Sequence, residues 1–199
     1  MDRDADQRVV AELRQKGFNV SSVWDLVHTA DDYADAVPVL VRMLSCTADY
    51  DVKEGIVRAL SPKSFRAAAF HALVAALEEL FDDMTPRADA LKWTIGNALS
   101  VQATKDDGEI LSHLLRRKEA GGARQMIALG IGRLKHRPSI PVLIPLLQDE
   151  QVAAQAASAL GKMNAHEARG ALLELARSSK GLAKKEAEKA LARIAINKL

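Results

Sequence analysis

Residues Pro138–Met163 read PSIPVLIPLLQDEQVAAQAASALGKM. Ile140, Leu143, Leu146 and Leu147 recur at steps of three and four, which predicts one apolar helical face. Val152, Ala156, Ala159 and Leu160 do the same after an acidic turn, and their alanines are thin enough for two helices to approach closely. The stretch therefore predicts two short antiparallel helices. Neither can bury its stripe alone, so the pair must stack on further pairs.

Those further pairs are present in the chain. With Leu160 as anchor of a second helix, the equivalent anchors are Leu60, Leu99, Ile131 and Leu191, at spacings of 39, 32, 29 and 31 residues. Four and eight residues before each anchor stand Ile56 and Val52, Ile95 and Leu91, Ile127 and Ala123, Ala156 and Val152, Ala187 and Ala183, all apolar. Seven before it stand Lys53, Lys92, Arg124, Ala153 and Lys184, basic in four of the five. The first helices align on Leu40 with Leu44, Leu73 with Leu77, Leu111 with Leu115, Leu143 with Leu147, and Leu172 with Ala176.

On the IPVLIPLL run at Ile140–Leu147, the ASALGKM run at Ala157–Met163 and DYDVKEGIVRAL at Asp49–Leu60, the chain resembles the HEAT-repeat family, in the short form also found in phycobilin lyase subunits. The resemblance covers Tyr33 to Ile196. It implies an all-α, right-handed α-α superhelix of about five helical pairs, most often a protein-binding scaffold and only occasionally a nucleic-acid enzyme or a lyase. The chain departs from the family pattern at Ala153, which replaces the basic residue in the clearest repeat. The preceding acidic partner is present only as Asp49 and Asp149, so the ladder of ion pairs is expected to be incomplete.

At 199 residues, one α-solenoid domain is expected over 1–199, with cap helices in 1–31 and repeats in 32–199. Hydrophobic content of 48% with only 4% aromatic residues suits alanine and leucine helices better than a sheet. The lone Cys46 excludes an intramolecular disulfide framework and a cysteine zinc cluster; at the end of a helix it reads as a buried or half-buried structural thiol. The acidic, polar start MDRDADQRVV carries no secretory signal and no apolar run approaches a membrane span, which leads to a cytoplasmic expectation. Net charge is +2, but residues 1–99 carry −5 and residues 100–199 carry +7. Such polarity can steer a partner, or can belong merely to solvated faces.

Along the chain, Asp4–Lys16 is expected to be helical and to stop at Gly17, and Ser21 or Ser22 to cap a second helix through Trp24, Leu26 and Val27. These two fall outside the repeat register and read as the N-terminal cap, with Trp24 in the core. Pro38 and Pro141 fit first helical turns, whereas Pro145 is expected to bend its helix. The first helix of the second repeat is expected to continue through LEELFDDM, its Glu78, Glu79, Asp82 and Asp83 forming a solvated acidic patch rather than a metal site. Gly121–Gly122 reads as a helix stop and restart, and Gly130–Ile131–Gly132 as close packing rather than a nucleotide loop. The charged run KKEAEKALARIAINKL suits a C-terminal cap.

No catalytic residues, cofactor or metal are expected. The five histidines are scattered without HExxH spacing, His113 falls at an outward position, and no Gly-x-Ser-x-Gly elbow occurs. At 100° per residue, the positions six and two before each anchor point away from the core stripe. The family resemblance places these positions in the concave groove: Glu54 and Arg58, Trp93 and Asn97, Gln125 and Leu129, Ala154 and Ser158, Lys185 and Lys189. Glu54, Arg58, Trp93, Asn97, Gln125, Lys185 and Lys189 are accordingly the candidate partner-binding residues, with Trp93 as candidate hot spot. The leading expectation is a non-catalytic scaffold or adaptor for an unidentified protein.

The first alternative is nucleic-acid binding, with Lys53, Lys92, Arg124, Lys184, Lys185 and Lys189 tracking phosphates. Here the likeness to alkylpurine DNA glycosylases would imply a catalytic carboxylate, for which only Glu54 occupies a groove position. The second alternative is a lyase or chaperone-like subunit, whose chromophore pocket would draw on Trp93 and Tyr50.

Overall fold

The computed structural model describes residues 3–196, which form twelve α-helices joined by short 3-10 turns and no strand. Two compact units divide the chain, Met1–Gln102 and Ala103–Leu199. Met1, Asp2 and the last three residues of the C-terminal charged run, 197–199, lie outside the described residues.

In the first unit, α1 (Arg3–Gln15) buries Ala5, Val9, Val10 and Leu13, then stops where Gly17 turns left-handed at φ 90°. The next helix, α2 (Trp24–His28), begins on a carboxylate that periodicity does not disclose. Asp6 is a buried α1 residue, and its Oδ1 accepts the Val23 N–H at 3.1 Å, satisfying one of the donors a helix start leaves over. The first repeat pairs α3 (Val37–Cys46) with α4 (Tyr50–Leu60); Pro38 sits in the first turn of α3, and Asp49 caps α4 by accepting the Asp51 and Val52 N–H groups. The second repeat pairs α5 (Arg66–Glu78) with α6 (Pro86–Gln102). Helices α1, α3 and α5 stack in one layer and α2, α4 and α6 in the other, so the N-terminal pair continues the stacking of the repeats.

Two expectations are corrected in this unit. The helix of the second repeat does not run through LEELFDDM. After Glu78 the backbone closes three-residue turns instead, from Leu80 N–H to Leu77 O and from Phe81 N–H to Glu78 O, which fold Leu80 and Phe81 back under the repeat. Trp24 is half-buried rather than core: its ring lies over Gly55 of α4, where an added Cβ would come within 3.2 Å of Nε1.

The second unit repeats the design with α7 (Gly108–Arg116), α8 (Ala123–Leu134), α9 (Ile140–Leu143), α10 (Ala153–Lys162), α11 (Arg169–Ser178) and α12 (Gly181–Ile196). Pro145 does more than bend its helix. Without an N–H it cannot bond back to Pro141, so the α-helix ends at Leu143 and the chain goes on as a 3-10 turn, Pro145–Gln148. Helices α8, α10 and α12 form one layer at very short range. A Cβ on Gly132 would lie 2.6 Å from the Ala159 Cα, and one on Gly161 would lie 2.8 Å from the Ala190 Cα. Glycine one residue after an anchor thus meets alanine one residue before the next anchor, twice in succession. The helix exits also match: His136 N–H bonds to Ile131 O and Ala165 N–H to Leu160 O, through left-handed Lys135 (φ 53°) and Asn164 (φ 49°).

Candidate partner-binding surface

The core stripe lies where the anchors put it. Leu60, Leu99, Ile131 and Leu160, with the residues four and eight before each, are buried. In the last repeat Ala187 is buried, while Leu191 and Ala183 are half-covered. All ten positions six and two before the anchors are half-buried or exposed. The α-helical rotation that hides one set necessarily presents the other.

In the first unit the outward stripe of α6 carries two exposed apolar side chains. Trp93 is 39% exposed, Val101 two turns later is 43% exposed, and half-buried Asn97 stands between them. On α4, Arg58 donates from Nε and Nη2 to Glu54 Oε1 at 2.9 and 2.7 Å, and its guanidinium lies 6.0 Å from the centre of the Trp24 ring. The ion pair and the ring hold Arg58 in one orientation, and they occupy Glu54, the one carboxylate at a groove position.

In the second unit Gln125, Leu129, Ala154 and Ser158 follow one another on α8 and α10, all half-buried. Leu129, Ala154 and Ser158 line a shallow hollow of about 220 Å3 with Gln155, Leu182 and Glu186. On α12 it is Leu182 and Glu186 that adjoin α10. Lys185 and Lys189 are exposed, and Lys189 Nζ sits 2.7 Å from Glu186 Oε1. Glu186 is held below the usual carboxylate range, first by that lysine and then by Ser158.

The basic positions seven before the anchors have another role. Lys53, Lys92 and Arg124 are buried. Lys92 Nζ donates to Asp83 O at 2.7 Å, and Lys53 Nζ lies 3.7 Å from a Glu79 carboxylate. Arg124 donates from Nε to Leu115 O at 3.1 Å and pairs through Nη1 with Asp149 at 2.7 Å. Buried cations engaged in this way join separate segments of the fold and are covered against a phosphate chain. Lys184 alone is exposed, 4.0 Å from Glu188.

The acidic stretch after α5 is likewise engaged. The Tyr50 hydroxyl donates to Asp83, whose other oxygen accepts the Thr85 N–H at 2.8 Å. The bond from Tyr50 first, then those from Thr85, hold the Asp83 carboxyl down to about 2, and the same bond raises Tyr50 above the usual phenol range. Cys46 is exposed rather than buried, because with Ser45 it falls on the outward side of the last turn of α3, between buried Leu44 and Thr47. His113 is exposed. His136 packs its ring on Gly108 and bonds through Nδ1 to Ser139 at 2.7 Å, whose hydroxyl meets that of Ser112 at 2.6 Å. Among the described residues no cluster of His, Cys, Asp or Glu could hold a metal ion, and no helix is long and apolar enough to cross a membrane.

No curated protein matches the chain significantly. Residues 108–192, from the first residue of α7 to the last turns of α12, match the family model described as HEAT repeats. Residues 108–192 are thus similar to HEAT repeats, and helix pairs recur in the same register within an all-α fold.

Proposed function

We propose that the protein is a non-catalytic cytoplasmic adaptor that holds a protein partner on the exposed stripes of its second helices. The observation that carries this reading is Trp93, with Val101 two turns away on the same stripe of α6 and polar Asn97 between them. An indole and an isopropyl group left open to water lose burial energy that the chain recovers when a partner covers them. Arg58, oriented by Glu54 and the Trp24 ring, supplies a charged group whose conformational entropy is already reduced. Gln125, Lys185 and Lys189 are the candidate contacts of the second unit by itself.

The test is quantitative capture from native lysate with wild type and Trp93→Ala in parallel. Truncation of a central tryptophan costs about 2 kcal/mol or more of binding, so a true partner is recovered at least about tenfold less well. The melting temperature should stay nearly unchanged, since Trp93 is not a core residue. Equal recovery of every captured protein by both forms would remove the stripe from the proposal.

A further inference from the structure

The register that aligns the anchors also aligns the residues two beyond them. In the second unit these are Arg133, Lys162 and Arg193, one cation on the last turns of each of α8, α10 and α12. With Lys135 and Asn164 they border an open cleft of about 490 Å3 between the helix ends, lined also by Gly132 and Gly161, and among the described residues no carboxylate lines it. All four cations are exposed. A basic residue at a helix C-terminus has an ordinary reason in the helix dipole, but Lys135 lies beyond the last turn of α8. There it takes a left-handed conformation, φ 53°, that glycine would adopt with less strain. The chain keeps a long cation at this position in spite of that cost.

The pitch of the row follows from the glycine contacts. Backbones brought together at Gly132–Ala159 and Gly161–Ala190 sit at the near end of the interaxial range of about 8–10 Å. The Cα atoms at equivalent positions of the row therefore advance by roughly 8–9 Å. Arg133 is partly fixed as well, since its Nη2 donates to Ala103 O at 3.0 Å.

We propose that this cleft binds an acidic peptide segment in polyproline II conformation, with a carboxylate at every third residue. Three residues of that helix rise about 9.3 Å and return to the same face, which matches the cation row. The unit carries a net charge of +7 to draw an acidic segment in. Single-stranded nucleic acid is disfavoured because, among the described residues, no aromatic face lines the cleft for base stacking. The inference adds to the adaptor reading the positions two beyond the anchors of the second unit, none of them among the candidate partner-binding residues, and does not use Trp93.

Fluorescence anisotropy tests it with a labelled peptide of four Glu-Pro-Pro repeats, a Lys-Pro-Pro peptide of equal length and a short DNA duplex, each at low and physiological salt. The wild type is expected to bind the Glu-Pro-Pro peptide alone, and Lys162→Glu to weaken that binding at least about tenfold with an unchanged melting temperature. Lys135→Gly should weaken it while melting no lower than wild type, a combination that loss of fold cannot produce. Trp93→Ala should bind the peptide as wild type does. Absence of peptide binding, equal binding by Lys162→Glu, capture of the duplex in preference to the peptide, or loss of peptide binding in Trp93→Ala would each overturn the proposal. Because Trp93→Ala is read here against a defined peptide and in lysate against a captured protein, failure of one reading is separable from failure of the other.

Discussion

Asp83 gathers three interactions onto one loop residue. Its carboxylate accepts from Tyr50 of α4 and from Thr85, and its carbonyl accepts from the buried Lys92 of α6. The carboxyl is depressed to about 2, chiefly by the Tyr50 hydroxyl. A depressed acid stabilises the fold above its unfolded pKa of about 4, and that stability fades as pH falls toward the folded value. Acid unfolding between about pH 4 and pH 2 should therefore be shallower in Tyr50→Phe than in wild type, because the phenylalanine ring keeps the packing and removes the proton donor. Circular dichroism melts across that window measure the difference, and superimposable pH profiles would mean that Tyr50 contributes nothing to the depression. Tyr50 is also the residue that a chromophore-pocket reading would recruit, yet its hydroxyl is already spent on Asp83.

At the scale of a helix, the decisive contact is glycine against alanine. Gly132→Ala places a methyl group 2.6 Å from the Ala159 Cα, on backbone that cannot rotate away. Alanine is the better helix former by about 1 kcal/mol, but forcing α8 from α10 costs roughly 1–3 kcal/mol. The variant should therefore lose stability despite its higher propensity. Gly170 in α11 has nothing within 4 Å of its would-be Cβ, so Gly170→Ala should instead gain stability. Chemical denaturation of both variants reads the opposite signs, and two gains would show that the α8–α10 contact relaxes without cost. The same pair of glycines shows what the amino-acid pattern discloses. Gly132 reads as a packing residue from sequence, because it follows an anchor and no strand flanks it. That Ala159 is its counterpart, and that Ala190 serves Gly161, appears only once the layers are stacked. Side-chain bonds that cross between helices, such as Asp6 to Val23 and Arg124 to Leu115, escape for the same reason, since their partners are backbone groups without sequence identity.

For the chain as a whole, repetition made the fold legible. Five anchors at intervals of about thirty residues define which faces are buried, and core and outward stripes follow by rotation. Chemistry did not follow as readily, since a basic residue reads alike whether it is a buried strut, as Lys92 is, or a surface group, as Lys162 is. Stacked pairs are stabilised by nearest neighbours, so an element with a neighbour on one side only should open first. Helix α10 has α8 on one side and α12 on the other, and its Ala156 and Leu160, with Val152 just before it, are fully covered. Helix α12 packs on α10 and α11, and its equivalent Ala183 and Leu191 remain half-exposed. Native-state hydrogen exchange read by mass spectrometry should accordingly find the amides of α12 exchanging well before those of α10, although α12 is the longer helix and isolated helices gain stability with length. Equal protection of the two would mean that the second unit opens only as a whole, with coupling between neighbouring pairs stronger than the difference in their burial.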